Sequence, residues 1–176
     1  TSSDEGDSGS ETSSSSSEDS GPGEECGVEN LLDRDGFAAL FPDRNPFYTY
    51  EDLVAAAAQH PGFATTGGPE VCARELAAFL GNVARETGEL IYIEQIQKVV
   101  YCQSSASCPC APGKRYFGRG PIQLSWNYNY CAAGGVLGLD LRADPDLVAR
   151  DATVAWSTAM WFWMTQSGAG RMTPHE

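Results

Sequence analysis

Histidine is nearly absent from this chain: His60 and His175 are the only two among 176 residues. Two isolated imidazoles cannot build a histidine-rich metal centre, and no Gly-x-Ser-x-Gly sequence accompanies them to suggest a serine triad. Basic residues are also few, 11 Lys and Arg against 24 Asp and Glu, for a net charge of −13. No basic stripe is offered to nucleic acid or to an anionic membrane, so neither is expected as a partner. A phosphate-binding loop is missing too, because Gly118-Arg119-Gly120 lacks the Lys-Ser/Thr ending and reads instead as a close-packed backbone corner. The longest apolar run, Val154 to Met164, falls well short of the roughly 20 residues that span a bilayer and reads as a buried helix. Neither Met nor an apolar leader opens the chain at Thr1, which is expected to be a processed product or a chain from which a signal has been removed.

What the chain does contain is unevenly distributed. Residues 1–25 hold ten Ser and eight acids, with no base, aromatic or large aliphatic side chain. Such a segment can bury nothing, and residues 1–27 are expected to be a solvated, disordered tether. Residues 1–30 carry nine acids and no base, so −9 of the charge belongs to the tail and −4 to the remainder. The folded domain is expected over residues 28–176, roughly 150 residues and enough for one core.

Six Cys, an even number, point to an oxidising compartment and to export. Cys102 and Cys110 frame a short loop and read as a local disulfide, while the pairing of Cys26, Cys72, Cys108 and Cys131 is open. A metal reading of Cys102, Cys108 and Cys110 lacks a second closely spaced pair to complete a tetrahedral set, so neither metal nor other cofactor is expected.

Helical spacing dominates the rest. Leu31, Leu32, Phe37 and Leu40 predict one short helix over Val28 to Leu40, and Thr49 with Asp52 resembles a capping box opening a second that stops at His60-Pro61-Gly62. Pro69 fits a first helical position, and Cys72, Leu76, Phe79 and Val83 then form one apolar stripe. Three residues further comes Glu86, a carboxylate on the core-facing side where ordinary design would put an apolar residue. Gly88 is expected to loosen that helix, and Asp151 to cap a central core helix ending near Gln166, with Gly168 and Gly170 as stops. The best strand candidate is Ile122 to Ser125. The expected fold is mainly helical, with a cleft and few short strands.

The segment Tyr116 to Tyr130 holds three Tyr, one Phe and one Trp among polar residues. Tyr116, Trp126 and Tyr128 supply flat apolar faces, and Gln123, Ser125 and Asn129 supply donors and acceptors, a pairing suited to holding a sugar chain. Glycoside hydrolysis needs one carboxylic acid to protonate the leaving oxygen and a second carboxylate to activate water or attack directly. Glu86, partly desolvated on its helix face, suits the first role. Glu94, beyond the Gly88 break, is ranked before Glu89 for the second, because Glu89 would lie one turn from Glu86 with little room for substrate and water.

The ordered series Phe41 to Tyr50, Pro61-Gly62-Phe63, Glu86-Thr87-Gly88, Tyr101-Cys102, Tyr116 to Tyr130, Asp144 to Val148 and Trp161 to Thr165 resembles the family 19 chitinases of glycoside hydrolases. The resemblance implies a lysozyme-like α+β catalytic domain and an endo-acting enzyme. That enzyme would cut β-1,4 links between N-acetylglucosamine units with inversion, through a water-mediated displacement. It places Glu86 as general acid, Ser125 on the attacking water, Gln123, Tyr128 and Asn129 on the sugar subsites, and Cys102 with Cys110 as a disulfide. Close relatives carry the base nine residues after the acid, where this chain has Gln95, and Glu94 takes the role if the loop is one residue shorter. The family also has His before the acid, where this chain has Arg85, and a further C-terminal segment beyond Met172 to Glu176.

The expectation is a secreted chitinase domain, monomeric and cofactor-free, acting on chitin or chitooligosaccharides and held near the cell surface through its tail. A non-hydrolytic chitin-binding protein and a peptidoglycan-cleaving hydrolase of lysozyme type are the alternatives.

Overall fold

The computed structural model describes residue 1, residues 25–167 and residues 173–175. Most of the expected tether, and the expected stops Gly168 and Gly170, lie outside the described residues. Cys26 and Gly27, expected in the tether, are tied to the domain: Cys26 is bonded to Cys72, and Gly27 N donates to Ala64 O at 2.8 Å.

The helix expected over Val28 to Leu40 is two helices, α1 (Val28–Leu31) and α2 (Arg34–Leu40). Leu32 is extended, and the Asp33 carboxylate accepts from Gly36 N at 2.7 Å, so a new N-cap wins over continuation. Helix α3 (Tyr50–Ala58) begins as the capping pattern predicts, with Asp52 N donating to Thr49 Oγ1 at 3.1 Å. The Asp52 carboxylate also receives the Thr153 hydroxyl at 2.7 Å, tying the start of α3 to the last helix.

Helix α4 (Pro69–Thr87) buries Cys72, Leu76, Phe79, Leu80 and Val83, and the buried stripe then steps to Thr87. Four residues carry the stripe from Val83 to Thr87, so Glu86 falls on its flank and is exposed. The core-facing, partly desolvated carboxylate expected there is corrected by that register. Gly88, in the left-handed region at φ 59°, ends the helix outright.

Helix α5 (Asn127–Leu137) carried no helical signal in the sequence, since it starts without a side-chain cap and contains Gly134 and Gly135. A Cβ on Gly134 would meet Leu139 O at 2.5 Å, so glycine is what lets the chain fold back over its own helix. After a 3-10 turn (Pro145–Ala149), α6 (Ala152–Thr165) opens on Asp151, whose carboxylate accepts from Val154 N at 3.0 Å. Ala155 to Trp161 are all buried, which makes α6 the spine of the molecule.

Two cores share that spine. Trp156, Ala159, Met160 and Trp163 pack with α1 to α4 and the loops between them, including Phe37, Tyr48, Leu53, Phe63 and Phe79. Ala155 and Trp161 pack instead with Tyr116, Leu124, Tyr130, Ala133, Leu141 and Val148. No named strand occurs among the described residues. Arg119 makes isolated bridges to Glu94 and Leu124, and Ile122 to Ser125 includes a tight turn with Gln123 at φ 51° rather than the strand expected.

Disulfides Cys26–Cys72, Cys102–Cys110 and Cys108–Cys131 use all six Cys, and the local Cys102–Cys110 pairing is as the short loop predicts. No described helix is long and apolar enough to cross a membrane.

Candidate active-site cleft

The end of α4 and the segment 116–130, one from each core, face each other across a cleft. Glu86, Tyr92, Glu94, Gln95, Ile96 and Gln123 line a cavity of about 380 Å³. Glu86 and Gln123 are shared with an adjoining cavity of about 450 Å³, lined also by Ser125, Trp126, Asn129 and Asn82. The two carboxylates singled out from the sequence therefore meet one space, and Ser125 meets Glu86 in the next.

Glu86 makes no hydrogen bond or ion pair among the described residues, so its carboxyl is free to meet a ligand. Glu94 is tightly engaged. Lys98 Nζ donates to its Oε2 at 2.6 Å, and Arg119 Nε approaches Oε1 at 3.4 Å, near enough for an ion pair but not aligned as a hydrogen bond.

Arg119, buried to 1% exposure, organises the wall behind it. Its guanidinium lies over the Phe117 ring at 3.7 Å and donates to Phe117 O, Arg115 O, the Tyr130 hydroxyl and Asp146. Burial pushes the Tyr130 phenol well above its ordinary range, and the neutral hydroxyl donates to Phe117 O at 2.8 Å. Backbone bonds then join the two walls: Gln95 N donates to Gly118 O and Gly120 N to Ile93 O, both at 2.8 Å.

Gln95 acts as a strut. Its Oε1 accepts from Gly118 N at 3.1 Å, and its Nε2 donates to the Tyr101 hydroxyl at 3.3 Å. Glu89 is set apart, since it lines a separate apolar groove with Leu40, Phe41, Leu80 and Ala84.

The aromatic segment divides by burial. Tyr116 is at 0% exposure in the second core, its hydroxyl donating to Arg142 O and accepting from Ala111 N. The sugar-contacting role expected for Tyr116 is therefore corrected to a core role, because no face of its ring reaches the cleft. Trp126 and Tyr128 stack at 5.8 Å with 18° between their planes, and Tyr101 sits 5.1 Å from Trp126. Tyr128 is exposed, while Asn129 points an amide back to Ser125 O at 2.9 Å. Asn127 is wholly buried and pins the disulfide loop, accepting from Gln103 N and donating to Gln103 O and Cys108 O.

Tyr92, Ile96, Asn82, Lys98 and Arg119 escaped the sequence reading. Only Arg119 left a signal there, in the glycine corner that holds it, and nothing in that corner revealed the Glu94 contact.

Helices around one buried helix, with carboxylates and amides converging on an aromatic-walled cleft, define a lysozyme-like scaffold. The family 19 glycoside hydrolase profile, described as chitinase class I, matches residues 38–175. Chitinase 2 of Oryza sativa subsp. japonica is 47% identical over 163 residues, which cover 81% of this chain and 48% of that protein. A protein named inactive chitinase-like protein 1, from Hevea brasiliensis, is 42% identical over 168 residues, 82% of this chain and 54% of its own. The crystal structure of chitinase C from Streptomyces griseus superposes with a TM-score of 0.77 at 50% identity, covering 82% of this chain and 71% of that one. The chain belongs to the glycoside hydrolase family 19 chitinases, and it spans about half the length of the curated relatives it matches.

Proposed function

We propose that the protein is an endo-acting chitinase that hydrolyses β-1,4 links between N-acetylglucosamine units with inversion. Glu86 acts as general acid, Glu94 as general base and Ser125 as a hydroxyl that orients the attacking water. Gln123, Trp126, Tyr128 and Asn129 hold the sugars. The observation that carries this reading is that Glu86, Glu94 and Gln123 line a single cavity. Inversion asks for carboxyl groups about 6.5–9.5 Å apart, with a water between them. Because Glu86 has no competing partner among the described residues, it is open to a leaving oxygen. Glu94, held from two sides, keeps one orientation toward the cavity. The protein works outside the cell as a monomer, its disulfides suited to an oxidising medium, with the Ser-rich acidic tail as a tether.

A second reading, a chitin-binding protein without turnover, draws on two observations. One is the relative named inactive at 42% identity, and the other is the occupation of both Glu94 oxygens by Lys98 and Arg119. Incubation with chitohexaose, glycol chitin and bacterial cell walls separates the readings. Release of β-1,4-linked fragments from the first two, with the inverted anomer as initial product and loss in Glu86→Gln, is the expected outcome. Retention on chitin beads without any fragment release selects the binder, and release from cell walls alone selects a peptidoglycan hydrolase.

A further inference from the structure

Glu86 is on the last turn of α4 and Glu94 lies on the loop that follows, so the shape of the link between them sets how the two carboxylates face each other. That link is unusual. Gly88, Glu89 and Leu90 are three successive residues in the left-handed region, at φ 59°, 63° and 64°. Two of the three carry a Cβ, and each such residue costs about 1–2 kcal/mol, so the turn persists only because its surroundings hold it.

One buried side chain bridges the turn. Thr87 is fully buried, and its Oγ1 accepts from Leu90 N at 2.7 Å while its own hydrogen goes to Val83 O at 2.7 Å. The hydroxyl therefore joins the last turn of the helix to the far end of the left-handed turn. Other bonds complete the clamp: Glu89 N donates to Ala84 O at 2.7 Å, Tyr92 N to Thr87 O at 3.0 Å and Asn45 N to Leu90 O at 2.9 Å. The Leu90 side chain is buried in the first core, and the Tyr48 hydroxyl donates to Tyr92 O at 3.2 Å.

Resting on the chitinase reading above, we infer that Thr87 is a positioning residue for the acid and base pair. Its hydroxyl keeps the left-handed turn closed, and the closed turn sends the chain back across the cleft so that Glu94 shares a cavity with Glu86. Valine fills the same volume without the hydroxyl, and serine restores the hydroxyl without the methyl.

The test compares the parent with Thr87→Val and Thr87→Ser. The first readout is backbone amide exchange and chemical shift by NMR, which needs no activity. In Thr87→Val the Leu90 amide is expected to exchange at least tenfold faster, with shifts moving over residues 91–95 and staying put in the first three turns of α4. Both return in Thr87→Ser. The second readout is chitohexaose hydrolysis, where Thr87→Val is expected to lose on the order of 10- to 100-fold in kcat with KM within about twofold. Thr87→Ser recovers the rate. The inference is overturned by an unchanged Leu90 amide in Thr87→Val, by a kcat within twofold of parent once the turn has loosened, or by failure of Ser to rescue. If the parent cuts no chitohexaose, the chitinase reading falls while the NMR arm still decides whether Thr87 holds the turn. Should Thr87→Val not fold, Thr87→Ala removes the same hydroxyl from the buried site with less bulk. The same loosening and the same loss of kcat are then expected, and their absence sinks the inference.

Discussion

The two walls of the cleft are built on opposite principles. The aromatic wall, Tyr116 to Tyr130, is held by burial: Tyr116, Leu124, Asn127 and Tyr130 go inward and Trp126, Tyr128 and Asn129 remain toward solvent. The acidic wall, Glu86 to Gln95, has little buried mass beyond Thr87 and Leu90, and is held by a bent backbone and by bonds borrowed from Gly118 and Gly120. One wall is fixed by its own packing, and the other takes its shape from its neighbours. Damage to the first should therefore appear mainly as lost stability or sugar affinity, and damage to the second as lost rate.

The sharpest way to break that contrast is Glu86→Gln, expected to lower turnover of chitohexaose by about 10²- to 10⁴-fold, the range of general acid–base catalysis. Its thermal unfolding should match the parent, since the carboxyl has no partner to lose among the described residues. Next, Glu94→Gln should cost about 10²-fold in kcat while Glu89→Gln stays within about twofold. Reversal of that pair in a rate assay would move the base to Glu89 and away from the cavity that contains Glu86.

On the aromatic wall, Asn127→Ala strands the Gln103 and Cys108 backbone groups it now satisfies and should lower the unfolding free energy by about 2–3 kcal/mol in denaturant titration. Trp126→Ala removes a stacking face and should raise KM roughly 5- to 10-fold with kcat nearly kept. The smallest effect belongs to Tyr116→Phe, about 1 kcal/mol of stability from the lost Arg142 bond and no change in KM. A raised KM there would return Tyr116 to the sugar-binding surface.

Much of this was legible in the chain. The stripe Cys72, Leu76, Phe79 and Val83, the Thr49 and Asp151 caps and the apolar run of α6 are local signals, and each element formed where its signal lay. The signal failed where a side chain's fate depends on distant partners. Asp33 split the first helix by capping its second half, and α5 formed despite two internal glycines because Gly134 lets the chain fold back closely over the helix. Extending the α4 stripe by three residues pointed to Glu86, whereas the packed helix continued by four to Thr87 and left Glu86 at the surface.

By itself, then, the sequence determined the helical character, the family and the residue types proposed for acid, base and sugar contacts, because helical periodicity and motif order are written in nearest neighbours. Only the tertiary structure decided which carboxylates share a space, which aromatic rings are core and how Cys26, Cys72, Cys108 and Cys131 pair. Glu94 reaches Glu86 through a left-handed turn clamped by Thr87 and through backbone bonds to the Arg119 corner, about 25 residues further along the chain. Burial divided the aromatic segment in the same way, since whether a Tyr face meets water or Leu141 depends on which elements pack over it.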